Sequence, residues 1–148
     1  MKQFLSIVFA GLILIACGSG SVDESTLQFR SIDGVDVAFL PNEETPFSGV
    51  AVGWHDNGQK ASEAQYKDGK PVGTHVRWHE NGQKKFEGQY DAGKPVGTHV
   101  SWRENGQKAV EGVYKDGEQD GVWVHWDENG RRREEHYKDG EWLGPVSD

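Results

Sequence analysis

From Thr26 onward, apolar and polar residues alternate along the chain. Leu27 and Phe29, then Val35, Val37 and Phe39, take turns with polar neighbours on either side of Asp33-Gly34, which predicts a hairpin. Further on the alternation recurs as Val50-x-Val52-x-Trp54, Thr74-x-Val76-x-Trp78, Thr98-x-Val100-x-Trp102 and Val122-x-Val124-x-Trp126. A period of two over five residues is the signature of a strand. Each run leads into an Asn-Gly pair, with the glycines at Gly58, Gly82, Gly106 and Gly130, and each return run ends at a tyrosine, Tyr66, Tyr90, Tyr114 or Tyr137. Gly69, Gly93, Gly117 and Gly140 then turn the chain again. The expected fold is all-β: an antiparallel meander of repeated hairpins forming an elongated twisted sheet.

The tryptophans Trp54, Trp78, Trp102 and Trp126 lie 24 residues apart, and the copies starting at Lys70 and Lys94 share 16 of 21 residues. A fixed period of this kind is an internal repeat. Residues 49–146 divide into four such hairpins, and residues 26–48, which do not share the pattern, are expected to form an N-terminal cap.

Register follows from loop length, because a one-residue slip sends every side chain to the other face. A three-residue loop such as Glu80-Asn81-Gly82, with Gly82 left-handed, would pair Val76 with Phe86, Val100 with Val110, His75 with Glu87 and His99 with Glu111. That register segregates an apolar face of Val, Thr, Trp, Phe86, Val110 and Tyr from a polar one. The polar face would carry His55, His75, Arg77, His79, His99, Arg103 and His125 opposite Glu63, Glu87 and Glu111. The fourth repeat is one residue shorter between Asn129 and Glu134, which predicts a two-residue loop there. Sheet curling or the N-terminal hairpin is expected to cover much of the apolar face. Arg133 and Glu135 would protect the last return strand from pairing with another molecule.

Before Thr26 the chain changes character. Lys2 followed by the apolar run Phe4–Ile15 reads as a secretion signal, residues 1–16. Leu14-Ile15-Ala16-Cys17 then resembles the lipobox of bacterial lipoproteins, which implies cleavage before Cys17 and a lipid on its thiol. Cys17 is the only cysteine, so it has no disulfide partner within the chain. Residues 17–25 are small and polar, a flexible tether from membrane to folded domain. The expected location is the cell envelope, and the outer membrane where the host has two. The formal charge of −8 becomes −9 once Lys2 is removed, and the basic cluster Arg131-Arg132-Arg133 stands alone. Nucleic acid is a poor match for such a chain.

With Gly73, Trp78, Asn81-Gly82, Glu87, Tyr90, Gly93 and Gly97 in place, and the same set again from Gly97 to Gly121, the repeat resembles the MORN-repeat variant of bacterial proteins grouped as YwqK-type antitoxins. The resemblance covers about residues 26–144. It implies a sheet of hairpins acting as a binding surface, with a toxin-like protein as partner.

The residues themselves offer little catalytic chemistry. His75 and His99 on alternate strands would stand about 9 to 10 Å apart, too far to share a zinc that needs ligands within about 2.1 Å. No cofactor or metal is expected. There is no Gly-x-Ser-x-Gly elbow, and Glu63, Glu87 and Glu111 recur like scaffold, so no enzyme activity is expected. The candidate partner-binding residues are His75, Arg77, His79, His99, Arg103, Trp123 and His125. Trp123 replaces the histidine of earlier repeats, either as an exposed anchor for a partner or as a ring capped by Trp142. The expected function is a membrane-anchored, extracytoplasmic β-repeat protein that binds a macromolecule. A cell-wall or glycan-binding module using exposed aromatics is the alternative.

Overall fold

The computed structural model describes residues 20–146. The signal segment and Cys17 lie outside the described residues. Twelve strands follow: β1 (Val22–Asp23), β2 (Gln28–Ile32), β3 (Val35–Phe39), β4 (Gly49–Trp54), β5 (Lys60–Lys67), β6 (Lys70–Trp78), β7 (Lys84–Asp91), β8 (Lys94–Trp102), β9 (Lys108–Lys115), β10 (Glu118–Trp126), β11 (Arg132–Lys138) and β12 (Glu141–Pro145). Strands β4 to β12 run antiparallel in sequence order, and β1 adds to β4 in parallel. The meander is the one the alternation predicts.

Strand β1 and a 3-10 turn at Glu24–Thr26 sit in the stretch read as a flexible tether, so the order begins earlier than expected. One local and one distant bond hold them: Asp23 accepts from the Ser25 amide at 2.9 Å, and Glu24 accepts from the Ser62 hydroxyl of β5.

All four Asn-Gly hairpins use the same loop. His55, His79, Arg103 and Asp127 each bond the residue four positions on across a three-residue loop and accept from Gly58, Gly82, Gly106 or Gly130. Gly82, at φ 80°, supplies the left-handed step. The expected two-residue loop in the fourth repeat is therefore absent. The missing residue lies instead in the return strand. Trp54 pairs Lys60 while Gly53 pairs Ser62, leaving Ala61 as an extra residue, and Lys85 and Ala109 are the corresponding extras in the next two hairpins. Strands β10 and β11 pair without such a bulge.

The bulge overturns the expected register. Val76 pairs with Glu87, Arg77 with Phe86, His75 with Gly88, Val100 with Glu111, Ser101 with Val110 and His99 with Gly112. One surface, called here the ring face, carries the tyrosines, Phe86 and Val110 together with His75, Arg77, His99, Trp123 and His125. The other, the ladder face, carries Val76, Val100 and Val124 with Glu63, Glu87, Glu111 and the four tryptophans. One inserted residue in each of the first three hairpins has sent their return strands' side chains to the opposite face.

The cap covers only the start of the ring face. Leu27 and Phe47 pack on Ala51, Ala64 and Tyr66, and Gly69 is clasped through backbone bonds to Ala38 and Phe47. Ala51 occupies the position held by His75 in the next repeat, and this small side chain admits the cap. Beyond it the sheet is a single layer, with no large side chain fully buried. The expected broad coverage of one face does not occur.

Strand β11 is not terminal either, because β12 pairs along Glu135–Lys138. Glu141-Trp142-Leu143-Gly144 repeats the opening of an outgoing strand and stops at Pro145, which has no amide to offer an edge.

Candidate functional site

Each outgoing strand bends at a left-handed glycine, Gly73, Gly97 or Gly121. The next aromatic position is thereby laid over the preceding return strand. The His99 ring lies over Gly88 and donates from Nε2 to the Gln89 carbonyl at 3.0 Å. Trp123 lies over Gly112 and donates to the Val113 carbonyl at 3.3 Å. Neither glycine has room for a Cβ. His75 faces Ala64 instead, and its equivalent bond to Gln65 is longer, at 3.4 Å.

The outcome is a continuous row of rings across the ring face: Tyr66, His75, Tyr90, His99, Tyr114, Trp123 and Tyr137, with successive centroids 4.5 to 6.1 Å apart. Each such contact contributes about 0.5–1.5 kcal/mol beyond area burial. Burial pushes the His75 and His99 imidazoles below their ordinary pKa, against the backbone hydrogen bonds that pull the other way. Both rings are built into the sheet rather than offered to a partner. Trp123, 6% exposed, is neither a free anchor nor capped by Trp142; Tyr114 and Tyr137 flank it.

The remaining candidates divide. His79 Nε2 binds the Trp102 carbonyl at 2.9 Å, and Arg103 binds that of Trp126 at 2.6 Å, as His55 does for Trp78. These side chains clamp each loop to the following one. Asn57 and Asn81 do the same toward Glu80 and Glu104. Arg77 is exposed on the ring face. His125 is half-buried, with Nε2 3.5 Å from the Glu135 carboxylate. The seven candidates therefore do not form one accessible surface. Among the described residues no three His, Cys, Asp or Glu side chains converge as metal ligands.

The ladder face carries two transverse rows. Val52, Glu63, Val76, Glu87, Val100, Glu111, Val124 and Glu134 succeed one another through the strand pairings. Beside them Lys60, Lys84 and Lys108 place their ammonium groups 5.4, 5.6 and 5.8 Å from the rings of Trp78, Trp102 and Trp126. Each lysine also reaches a glutamate, Glu63, Glu87 or Glu111, at 2.6 Å. The tryptophans were expected on a largely covered apolar face. They are covered by lysines instead, and Trp54 has no such cover, at 56% exposure.

Exposed apolar side chains lie at both ends, Phe29, Ile32 and Val35 in the β2–β3 hairpin and a second set toward the C-terminus. Val113 stands where earlier repeats have Gln65 and Gln89, Val122 where they have Val50, Thr74 and Thr98, and both are more than two-fifths exposed. Trp142, Leu143 and Val146 continue the exposed set. Sequence reasoning singled out only Trp142. A position-by-position comparison of the repeats would have revealed Val113.

Residues 48–68, 71–92 and 119–139 match the family model described as MORN repeat variant. These segments begin just before or within β4, β6 and β10 and each takes in a hairpin loop. No curated protein and no solved structure matches the chain.

Proposed function

We propose that this MORN-variant repeat chain is a lipid-anchored envelope protein that binds a protein partner through its last two repeats and carries out no reaction. The observation that carries the reading is the break in repeat symmetry at the C-terminal end. There the position of Gln65 and Gln89 becomes exposed Val113, and the adjacent strand adds exposed Val122 on the same face. Exposed apolar groups cost solubility and stabilise nothing in the free sheet, which points to contact with another molecule. The resemblance to YwqK-type proteins supports a toxin-like partner whose action is blocked by the contact. The lipobox at Cys17 supports the anchor, and hence a partner outside the cytoplasm.

The test is to restore the repeat. Val113→Gln with Val122→Thr is expected to leave the thermal midpoint nearly unchanged, since surface substitutions usually fall within about 0.5 kcal/mol. The same pair should abolish co-purification of a stoichiometric protein from solubilised envelopes. Undiminished co-purification would refute the assignment, as would retention on purified peptidoglycan with no protein partner. Cys17→Ser should release the chain from the membrane fraction, and a membrane-bound variant would refute the anchor.

A further inference from the structure

The four Asn-Gly pairs lie at hairpin tips, and the same dipeptide is held differently from tip to tip. Asn57 and Asn81 are fixed at both ends of the side-chain amide. Oδ1 accepts from the amide of Gln59 or Gln83 at 2.9 Å, and Nδ2 donates to the Glu80 or Glu104 carbonyl of the next hairpin at 2.8 Å. Asn105 keeps the first bond, from the Gln107 amide at 3.0 Å, but its Nδ2 turns back to the Gln107 side chain at 3.2 Å instead of reaching the following loop.

At the fourth tip the arrangement changes. Asp127 stands where the earlier loops have His55, His79 and Arg103, and its carboxylate accepts from the Arg131 amide at 2.9 Å and the Asn129 amide at 2.8 Å. The bond that the other three asparagines receive at Oδ1 is thereby taken over by Asp127. Strand β12 leads into no further hairpin loop among the described residues that could offer a carbonyl to Nδ2. The exposed side chain of Asn129 therefore makes none of the bonds that hold its counterparts.

We infer that Asn129 is a site of spontaneous modification, at which the side-chain amide is lost through a succinimide closed by the Gly130 backbone nitrogen. A peptide nitrogen is a poor nucleophile while its lone pair is delocalised into the carbonyl, so it attacks only after giving up its proton to the solvent. The Gly130 nitrogen then bonds to Asn129 Cγ, the Cγ–Nδ2 bond breaks, and Nδ2 takes a proton back and leaves as ammonia. Water adds across one of the two C–N bonds of the ring. Opening at Cγ leaves an aspartyl residue; opening at the backbone carbonyl leaves an isoaspartyl one, with the chain routed through Cγ.

A following glycine permits this chemistry because no Cβ obstructs the nitrogen. All four pairs share that permission. What separates them is whether Cγ is free to swing onto the nitrogen, and only at Asn129 is there no side-chain bond to break first. The Gly130 N–H also makes the longest of the four loop bonds, 3.1 Å to the Asp127 carbonyl against 2.8 to 2.9 Å elsewhere. The product places a new carboxylate directly before Arg131-Arg132-Arg133, and the isoaspartyl form adds one backbone carbon to the loop. The inference rests on the loops alone and holds whichever molecule the exposed valines meet.

The experiment is to incubate the full-length chain in mildly alkaline buffer, with and without denaturing urea, and to follow conversion of amide to acid in the four tip peptides by mass spectrometry after digestion. In the folded chain Asn129 is expected to convert several-fold faster than Asn105, with Asn57 and Asn81 slowest. In urea the four rates should converge, because the sequence at each tip is the same Asn-Gly. Asp127→His, which copies His55 and His79, should hand the Arg131 amide back to Asn129 and slow conversion at this tip several-fold. Equal folded-state rates, faster conversion at Asn57 or Asn81 than at Asn129, or an order that persists in urea would overturn the site. An unchanged rate in a folded Asp127→His chain would overturn the assigned cause. The comparison in urea needs no variant, so the site is tested even where that substitution disturbs the loop.

Discussion

At the residue scale, one position in the repeat decides whether a polar ring can live inside a thin sheet. His99 and Trp123 occupy the same place over Gly88 and Gly112, each with one N–H donated to a carbonyl of the strand below. Burial lowers the pKa of His75 and His99, so the folded sheet resists protonation that the unfolded chain accepts. The unfolded imidazoles titrate near about 6.5. Their contribution is thus complete above that value and is lost as the pH falls from it toward the depressed folded values. The thermal midpoint is expected to drop over this interval. His99→Trp, which copies Trp123 above an equally bare glycine, should fold and show a smaller drop. An unchanged pH profile in that variant would remove His99 from the account.

At the scale of the hairpin, the difference between the first three and the fourth is one bulge residue. Ala61, Lys85 and Ala109 interrupt the ladder, while β10 and β11 run uninterrupted with the same loop. Deleting Lys85 should convert the second hairpin to the fourth type, with pairings from Arg77 and Phe86 onward retained. Amide signals of β8 to β12 are expected to stay in place; if those of His99 or Tyr114 move, the bulge sets register beyond its own hairpin. The strands, the repeat and the left-handed Gly82 were legible because each depends on a few adjacent residues. The faces were not. An extra Ala or Lys in a return strand has no special chemistry, yet it reverses the side on which Phe86 and Glu87 emerge. His79 and Arg103 were misread for a related reason, since they bind carbonyls 23 residues away that no local pattern marks. Trp142 was visible as an exposed end residue, whereas Val113 looked ordinary until set against Gln65 and Gln89.

At the scale of the whole molecule, every hairpin is held to its neighbour by the ladder bonds, the ring row and the loop clamps, and the N-terminal cap reaches only the first. Stability in such an array is close to a sum of repeat and nearest-neighbour contributions. Arg103→Ala removes one clamp and should cost about 1–2 kcal/mol. Hydrogen exchange should quicken in β10 to β12 while β4 to β7 keep their protection; uniform acceleration along the chain would show a single cooperative block instead. The order of strand neighbours has a kinetic consequence as well. Apart from β1, which must wait for β4, each strand of the long sheet pairs first with the one made just before it, so loop closure never spans a long stretch of chain. A polypeptide emerging end first from a narrow exit can zip up one ribbon at a time, and only its first two paired residues need to pause for a partner that has not yet appeared.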